Sequence, residues 1–161
     1  MNIRPIGFVD RSMLEAGFFW KFKSRLIRLN EYVSVISLRD AGEDAPIVTE
    51  WKAADGILKR LKGAMAPMFG GTPGEIVHAR VEVLSPGGFL PWSADEKDDT
   101  EDLYRLHLCI TPSECSLEYS GAEVRAIPSG ELCYVNNRVL HSSVNHGTHV
   151  RVHLIIDGRV S

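Results

Sequence analysis

Cysteine is scarce in this sequence: Cys109, Cys115 and Cys133 are an odd number, and no pair has the tight spacing of a zinc or redox motif. A disulfide framework or a cysteine-built metal site is therefore excluded as the organising feature. Each thiol sits among apolar neighbours, so all three are expected to be buried and reduced. Basic charge is equally short. Eighteen Lys and Arg stand against 21 Asp and Glu, a formal net charge of −3 with a pI near 6.1, so nothing in the balance attracts nucleic acid or an anionic membrane. Long hydrophobic runs are missing too. Within the first thirty residues Arg4, Asp10, Arg11, Glu15, Lys21, Lys23, Arg25 and Arg28 interrupt every apolar stretch before it could form a signal-peptide core or a membrane span. A soluble, cytoplasmic protein is expected. No internal repeat or low-complexity tract divides the chain, and 44% hydrophobic against 24% charged residues suits one domain over residues 1–161 with a sizeable core.

What is present changes in texture along the chain. From Ser12 to about Leu29 the pattern predicts an amphipathic helix, opened by the capping pair Ser12 and Glu15 and carrying Leu14, Phe18, Phe22, Leu26 and Leu29 as its apolar members. Tyr32 to Leu38 is β-branched and predicts a strand, and a second helix is expected from Glu50 to about Ala66, stopped by Pro67 and the Gly70-Gly71 turn. Residues 1–73 thus read as a mostly helical support. After Gly74 the chain reads as β-structure: Ile76–Leu84, Tyr104–Ile110, Ser116–Tyr119, Glu123–Ile127, Glu131–Val135 and Val150–Ile156 are short alternating or β-branched runs. Turn signals separate them, among them Pro86-Gly87-Gly88, Ser120-Gly121 and Pro128-Ser129-Gly130. Many short strands at this spacing predict a mainly β fold with flanking helices, a sandwich or barrel for which a jelly roll is the natural candidate, its core spanning residues 74–158.

The chemistry concentrates in the last third. His141 is followed ten positions later by Arg151, the solitary arginine opening a strand-like run Arg151-Val152-His153-Leu154-Ile155-Ile156-Asp157. A neutral imidazole suits a transition metal, and a planar guanidinium grips a carboxylate with two parallel hydrogen bonds, so the pair suits a metal ligand and an anchor for an acidic small molecule.

Arg105-Leu106-His107-Leu108, Gly130-Glu131, Asn136-Asn137 leading to His141, Asn145-His146-Gly147 and the run Arg151 to Asp157 occur in an order and spacing that resembles the aspartyl/asparaginyl β-hydroxylase family of Fe(II)/2-oxoglutarate-dependent oxygenases, including its bacterial free-proline hydroxylases. The resemblance covers about half the chain, roughly Ala79 to Asp157. It implies a double-stranded β-helix, a cupin-like jelly roll. It also implies Fe(II) and 2-oxoglutarate as cofactors, with His141 as an iron ligand, Arg151 as the partner of the cosubstrate's distal carboxylate, and Arg105 and His107 as further contacts to it.

One part of the pattern departs. In the family the first iron-binding histidine follows a "Pro-Gly-x-x-x-Pro" stretch, often in a "His-x-Asp" unit; here Pro86 to Asp95 aligns without gaps, putting Ser93 at the histidine position and Asp95 at the aspartate. No histidine lies between His78 and His107, so no small shift of register supplies one. A serine hydroxyl is a weak donor beside imidazole, and Asp95 with His141 alone would hold ferrous iron less tightly. Beyond these ligands no further catalytic residue is assigned. The acidic stretch Glu96, Asp98, Asp99, Glu101 and Asp102 reads as a solvated loop, Trp92 as ordinary hydrophobic surface, His146 and His149 as solvated, and His78 and His153 as hydrogen-bonded structural histidines.

Two functions follow from the resemblance. One is a dioxygenase that hydroxylates an amino acid or a similar small polar metabolite while 2-oxoglutarate is decarboxylated to succinate. The other is a degenerate, non-catalytic module that binds a small carboxylate or a partner protein. The metal shell separates them.

Overall fold

The computed structural model describes residues 1–10, 27–39, 59–71, 74–95 and 103–159. The first expected helix lies outside these residues except at its end, where Ile27–Arg28 is a short strand, β2, and not a last helical turn. Of the second, residues 59–65 are helical, and Pro67 sits in a 3-10 turn, Ala66–Phe69, that closes on Gly70 with φ 67°. That left-handed value is one that glycine reaches without a Cβ penalty. The acidic stretch of residues 96–102 also lies outside the described residues. Among the described residues no helix is long and apolar enough to cross a membrane.

The remaining elements are strands: β1 (Ile3–Phe8), β3 (Val33–Arg39), β4 (Glu75–Leu84), β5 (Leu103–Thr111), β6 (Ser116–Ser120), β7 (Glu123–Arg125), β8 (Glu131–Val135), β9 (His141–Asn145) and β10 (Arg151–Arg159). β1 and β9 were not foreseen. Their sequences, IRPIGF and HSSVN, carry little strand signal, and pairing with β8 and β6 makes them strands. Seven strands form one antiparallel sheet in the order β1-β8-β5-β10-β4-β3-β2, and three form a second in the order β7-β6-β9. An extended segment lies along β9 through the bridges Phe89 to Val144 and Ser93 to His141. Antiparallel strands wound between two facing sheets in this way make a jelly roll, the double-stranded β-helix of the sequence reading.

Period-two alternation gives the large sheet two unlike faces. On one face Val81, Val83, Leu106, Leu108, Leu132, Val152, Leu154 and Ile156 form a single apolar core with Leu61 and Met65 of the helical segment. Each such side chain contributes about 1.5–3 kcal/mol by leaving water. The alternate residues Glu82, Arg105, His107, Arg151, His153 and Asp157 turn to the other face, toward the small sheet. That polar face is where the candidate site lies.

Candidate functional site

β10 supplies the central side chain. Arg151 is fully buried, the largest such side chain among the described residues. One terminal nitrogen donates to Glu118 on β6 and the other to Glu82 on β4, so a single guanidinium is held between the two sheets by two carboxylates. Its Nε finds no partner among the described residues. Ser143 on β9 donates its hydroxyl to the second oxygen of Glu118.

Two imidazoles flank the same carboxylate. His107 Nδ1 is 3.8 Å from Glu118 Oε2, and His153 Nδ1 is 3.5 Å from Glu118 Oε1. The rings meet edge to face at 5.8 Å. Both separations exceed a hydrogen bond, and both Nδ1 atoms are buried without a partner among the described residues. Burial and then the Arg151 charge hold both histidines well below the ordinary imidazole range, so both are neutral. Burial also pushes the Glu118 carboxyl up to about 7, against the pull of Arg151 and Ser143.

The second group of sequence-predicted residues lies near the surface. Ser93 and His141 face each other as a backbone pair, with Ser93 N donating to His141 O at 3.1 Å and His141 N to Ser93 O at 2.8 Å. His141 is half-buried, with Nδ1 3.1 Å from the Val139 carbonyl. Asp95 is exposed and already engaged: its Oδ2 accepts from Asn137 at 2.6 Å and meets Arg105 at 2.9 Å. Arg105 in turn makes a bidentate pair with Asp157, at 2.7 and 2.9 Å. The predicted residues thus fall into two sets: Arg151 and His107 deep between the sheets, and Ser93, Asp95, His141 and Arg105 toward one end of the barrel.

Sequence reasoning missed Glu82, Glu118 and Ser143, and read His153 as hydrogen-bonded, whereas its Nδ1 is not. The available signal was a lone glutamate inside each apolar strand run, Val81-Glu82-Val83 and Leu117-Glu118-Tyr119, where period two points a carboxylate inward. Asn145 proves to be a fastener: its amide donates to the carbonyls of Leu84 and His149, and its oxygen accepts from Gly147 N. Gly147 is needed there, since a Cβ would lie 2.0 Å from the Glu114 carbonyl. Cys109 and Cys133 are buried as expected, whereas Cys115 is exposed because it sits on the turn before β6 with φ 57°. Burial pushes the Cys133 thiol up to about 12, which makes it inert. Trp92 is exposed and packs edge-on against Tyr119 at 5.5 Å.

Residues 67–160, more than half of the chain, match the family described as aspartyl/asparaginyl beta-hydroxylase. The chain belongs to this family. None of the curated proteins matches it. Among solved structures, a 2OG-Fe(II) oxygenase-family oxidoreductase from Burkholderia pseudomallei superposes with a TM-score of 0.66 at 14% identity, covering 89% of this chain and 77% of that one. The viral collagen prolyl hydroxylase of Paramecium bursaria Chlorella virus-1, in complex with 2OG, gives 0.63 at 12% identity, covering 98% and 97%. A Pseudomonas putida prolyl-4-hydroxylase gives 0.63 at 12% identity, covering 99% and 94%. At these identities the likeness establishes the fold, and the site must be judged on its own residues.

Judged so, the positions implied for iron and 2-oxoglutarate do not fit those groups. The iron position offers one imidazole, a serine hydroxyl and a carboxylate already paired with Arg105. The cosubstrate's carboxylate would have to approach an arginine whose two terminal nitrogens are covered by Glu82 and Glu118. Two like charges in a buried site repel strongly.

Proposed function

We propose that this family member is a degenerate oxygenase-fold binding module and not a 2-oxoglutarate-dependent hydroxylase. One observation carries the reading: the guanidinium of Arg151 is occupied by two carboxylates of the protein itself, Glu82 and Glu118. A dicarboxylate entering there would have to displace a buried ion pair and then face the carboxylates it displaced. The Ser93 position adds to this, because the residue directly opposite His141 brings a weak oxygen donor where the family has imidazole. A small-molecule ligand remains the expected partner.

The hydroxylase reading, with an amino acid or similar small polar metabolite as substrate, keeps one observation in its favour. The Nδ1 atom of His141 is turned to the Val139 carbonyl, which leaves its second ring nitrogen for a metal. Anaerobic titration with ferrous iron and 2-oxoglutarate separates the two. The binding-module reading expects no visible charge-transfer band and no succinate across a panel of free amino acids. A saturable band, or turnover of any amino acid on the panel, would establish the hydroxylase instead.

A further inference from the structure

The Nδ1 atoms of His107 and His153, without a hydrogen-bond partner among the described residues, flank one carboxylate. His107, Glu118 and His153 each present a donor atom, and these atoms lie within 4.8 Å of one another, all in buried residues. With metal–ligand bonds of about 2.0–2.2 Å, neighbouring donors around a tetrahedral ion stand roughly 3.3–3.6 Å apart. His153 Nδ1 lies 3.5 Å from Glu118 Oε1 and His107 Nδ1 3.8 Å from Glu118 Oε2, so the imidazoles stand beside the two oxygens of one carboxylate at that spacing or a few tenths beyond it. The two side chains are only 9% and 3% exposed, and their Nδ1 atoms have no hydrogen-bond partner among the described residues. Buried polar atoms of this kind are normally hydrogen-bonded, and two in one place call for a partner.

We propose that His107, Glu118 and His153 form a site for one divalent transition metal ion, such as zinc, ferrous iron or cobalt, whose ligands are other than Ser93, Asp95 and His141. Two neutral imidazoles and a carboxylate are a donor set that such ions favour. Charge agrees with this. Glu82 and Glu118 stand against one guanidinium, so the buried cluster is short of positive charge when both carboxylates are ionised. Glu118 also has the capacity: its oxygens take bonds from Arg151 and Ser143, and a carboxylate has about four acceptor sites. Ser143 and Arg151 thereby become the groups that orient the ligating carboxylate.

Three protein donors leave a coordination position open, and the structure provides an approach to it. A cavity of about 210 Å³ is lined by Glu118, Arg151 and His153 together with Ser113, Cys115, Ile127 and Pro128. It lies by the Ser116 end of β6, whereas His141 pairs with Ser120 at the other end. The open position would take water or a small ligand from this cavity.

This inference deepens the binding-module reading, and its test fails separately. Chelator-stripped protein is titrated with cobalt(II), followed by visible absorption and calorimetry. One equivalent should bind per chain, with the intense ligand-field bands of a low-coordinate histidine site. His107→Asn and His153→Asn should each weaken binding at least about a hundredfold, since even outer-shell changes cost 10–100-fold, while His141→Asn leaves it intact. X-ray absorption of the zinc-loaded, unmutated protein reads the shell without relying on any variant and should show two imidazoles. No stoichiometric binding, a shell with one imidazole, or binding lost with His141→Asn and kept with His107→Asn would overturn the site. A 2-oxoglutarate charge-transfer band would overturn the binding-module reading instead.

Discussion

The two faces of the large sheet are made by the same strands and obey opposite rules. On β10, Val152, Leu154 and Ile156 join the apolar core beside Leu61 and Met65, while Arg151, His153 and Asp157 face the small sheet and are buried to a similar degree. The apolar face is held by area: non-directional burial in which each side chain adds its share and neighbours of similar volume can substitute. The polar face is held by pairing. Each charge there was taken out of water at a cost of several kcal/mol and is kept only because a specific partner stands opposite it. The polar face is therefore the fragile one, and it is also where donor atoms are left over.

Four measurements press on that contrast, from the largest effect to the smallest. Arg151→Met should destabilise the protein by about 3–5 kcal/mol in denaturant unfolding at neutral pH, because two buried carboxylates lose their counter-charge. Adding Glu82→Leu and Glu118→Leu should return most of the loss, and failure of that rescue would show that the face is not held by pairing. Leu108→Ala, on the apolar face, should cost about 2–5 kcal/mol as a cavity and transfer loss, with the same cost at pH 5.5 and pH 8.

Acidity should act on the polar face alone. In chelator-treated protein the lowered values of His107 and His153 mean that the unfolded chain binds protons near pH 6.5 that the folded protein refuses, so stability falls as pH drops below 6.5. Glu118, raised from 4.5 to about 7, works the other way: the folded state binds its proton more tightly, and stability falls as pH rises from about 4.5 to 7. Two histidines outweigh one carboxylate below 6.5. The His107→Asn and His153→Asn double variant should therefore lose the acid-side fall in thermal midpoint and expose the opposite slope. A wild-type midpoint that does not change between pH 5 and 7 would contradict both assignments. The smallest effect is at the rim, where Asp95→Asn removes a partly exposed pair with Arg105 and should cost less than about 1 kcal/mol.

The sequence carried much of this contrast in its alternation. Arg151-Val152-His153-Leu154 reads as two faces before any coordinates exist, and the motif order around Arg105, His141 and Arg151 pointed to the jelly roll and to the family. What it did not carry was the company each polar residue keeps. Glu82 and Glu118 lie 36 positions apart in strands of different sheets, and nothing local to either says that both close on Arg151. β9 was illegible for the same reason, since His141-Ser142-Ser143-Val144-Asn145 becomes a strand only through its pairing with β6.

By itself, then, the sequence determined the β-rich architecture and the residue types available for chemistry, because alternation and turn residues act over a few neighbours and leave their mark locally, while the double-stranded β-helix was implied by the family resemblance. Only the tertiary structure decided which of those residues meet. It gave Arg151 two carboxylates of its own, tied Asp95 to Arg105, and left the Nδ1 atoms of His107 and His153 without a hydrogen-bond partner among the described residues, beside Glu118. The physical reason is that a buried charge takes its meaning from groups within a few ångströms, and those groups came from strands far apart in the chain.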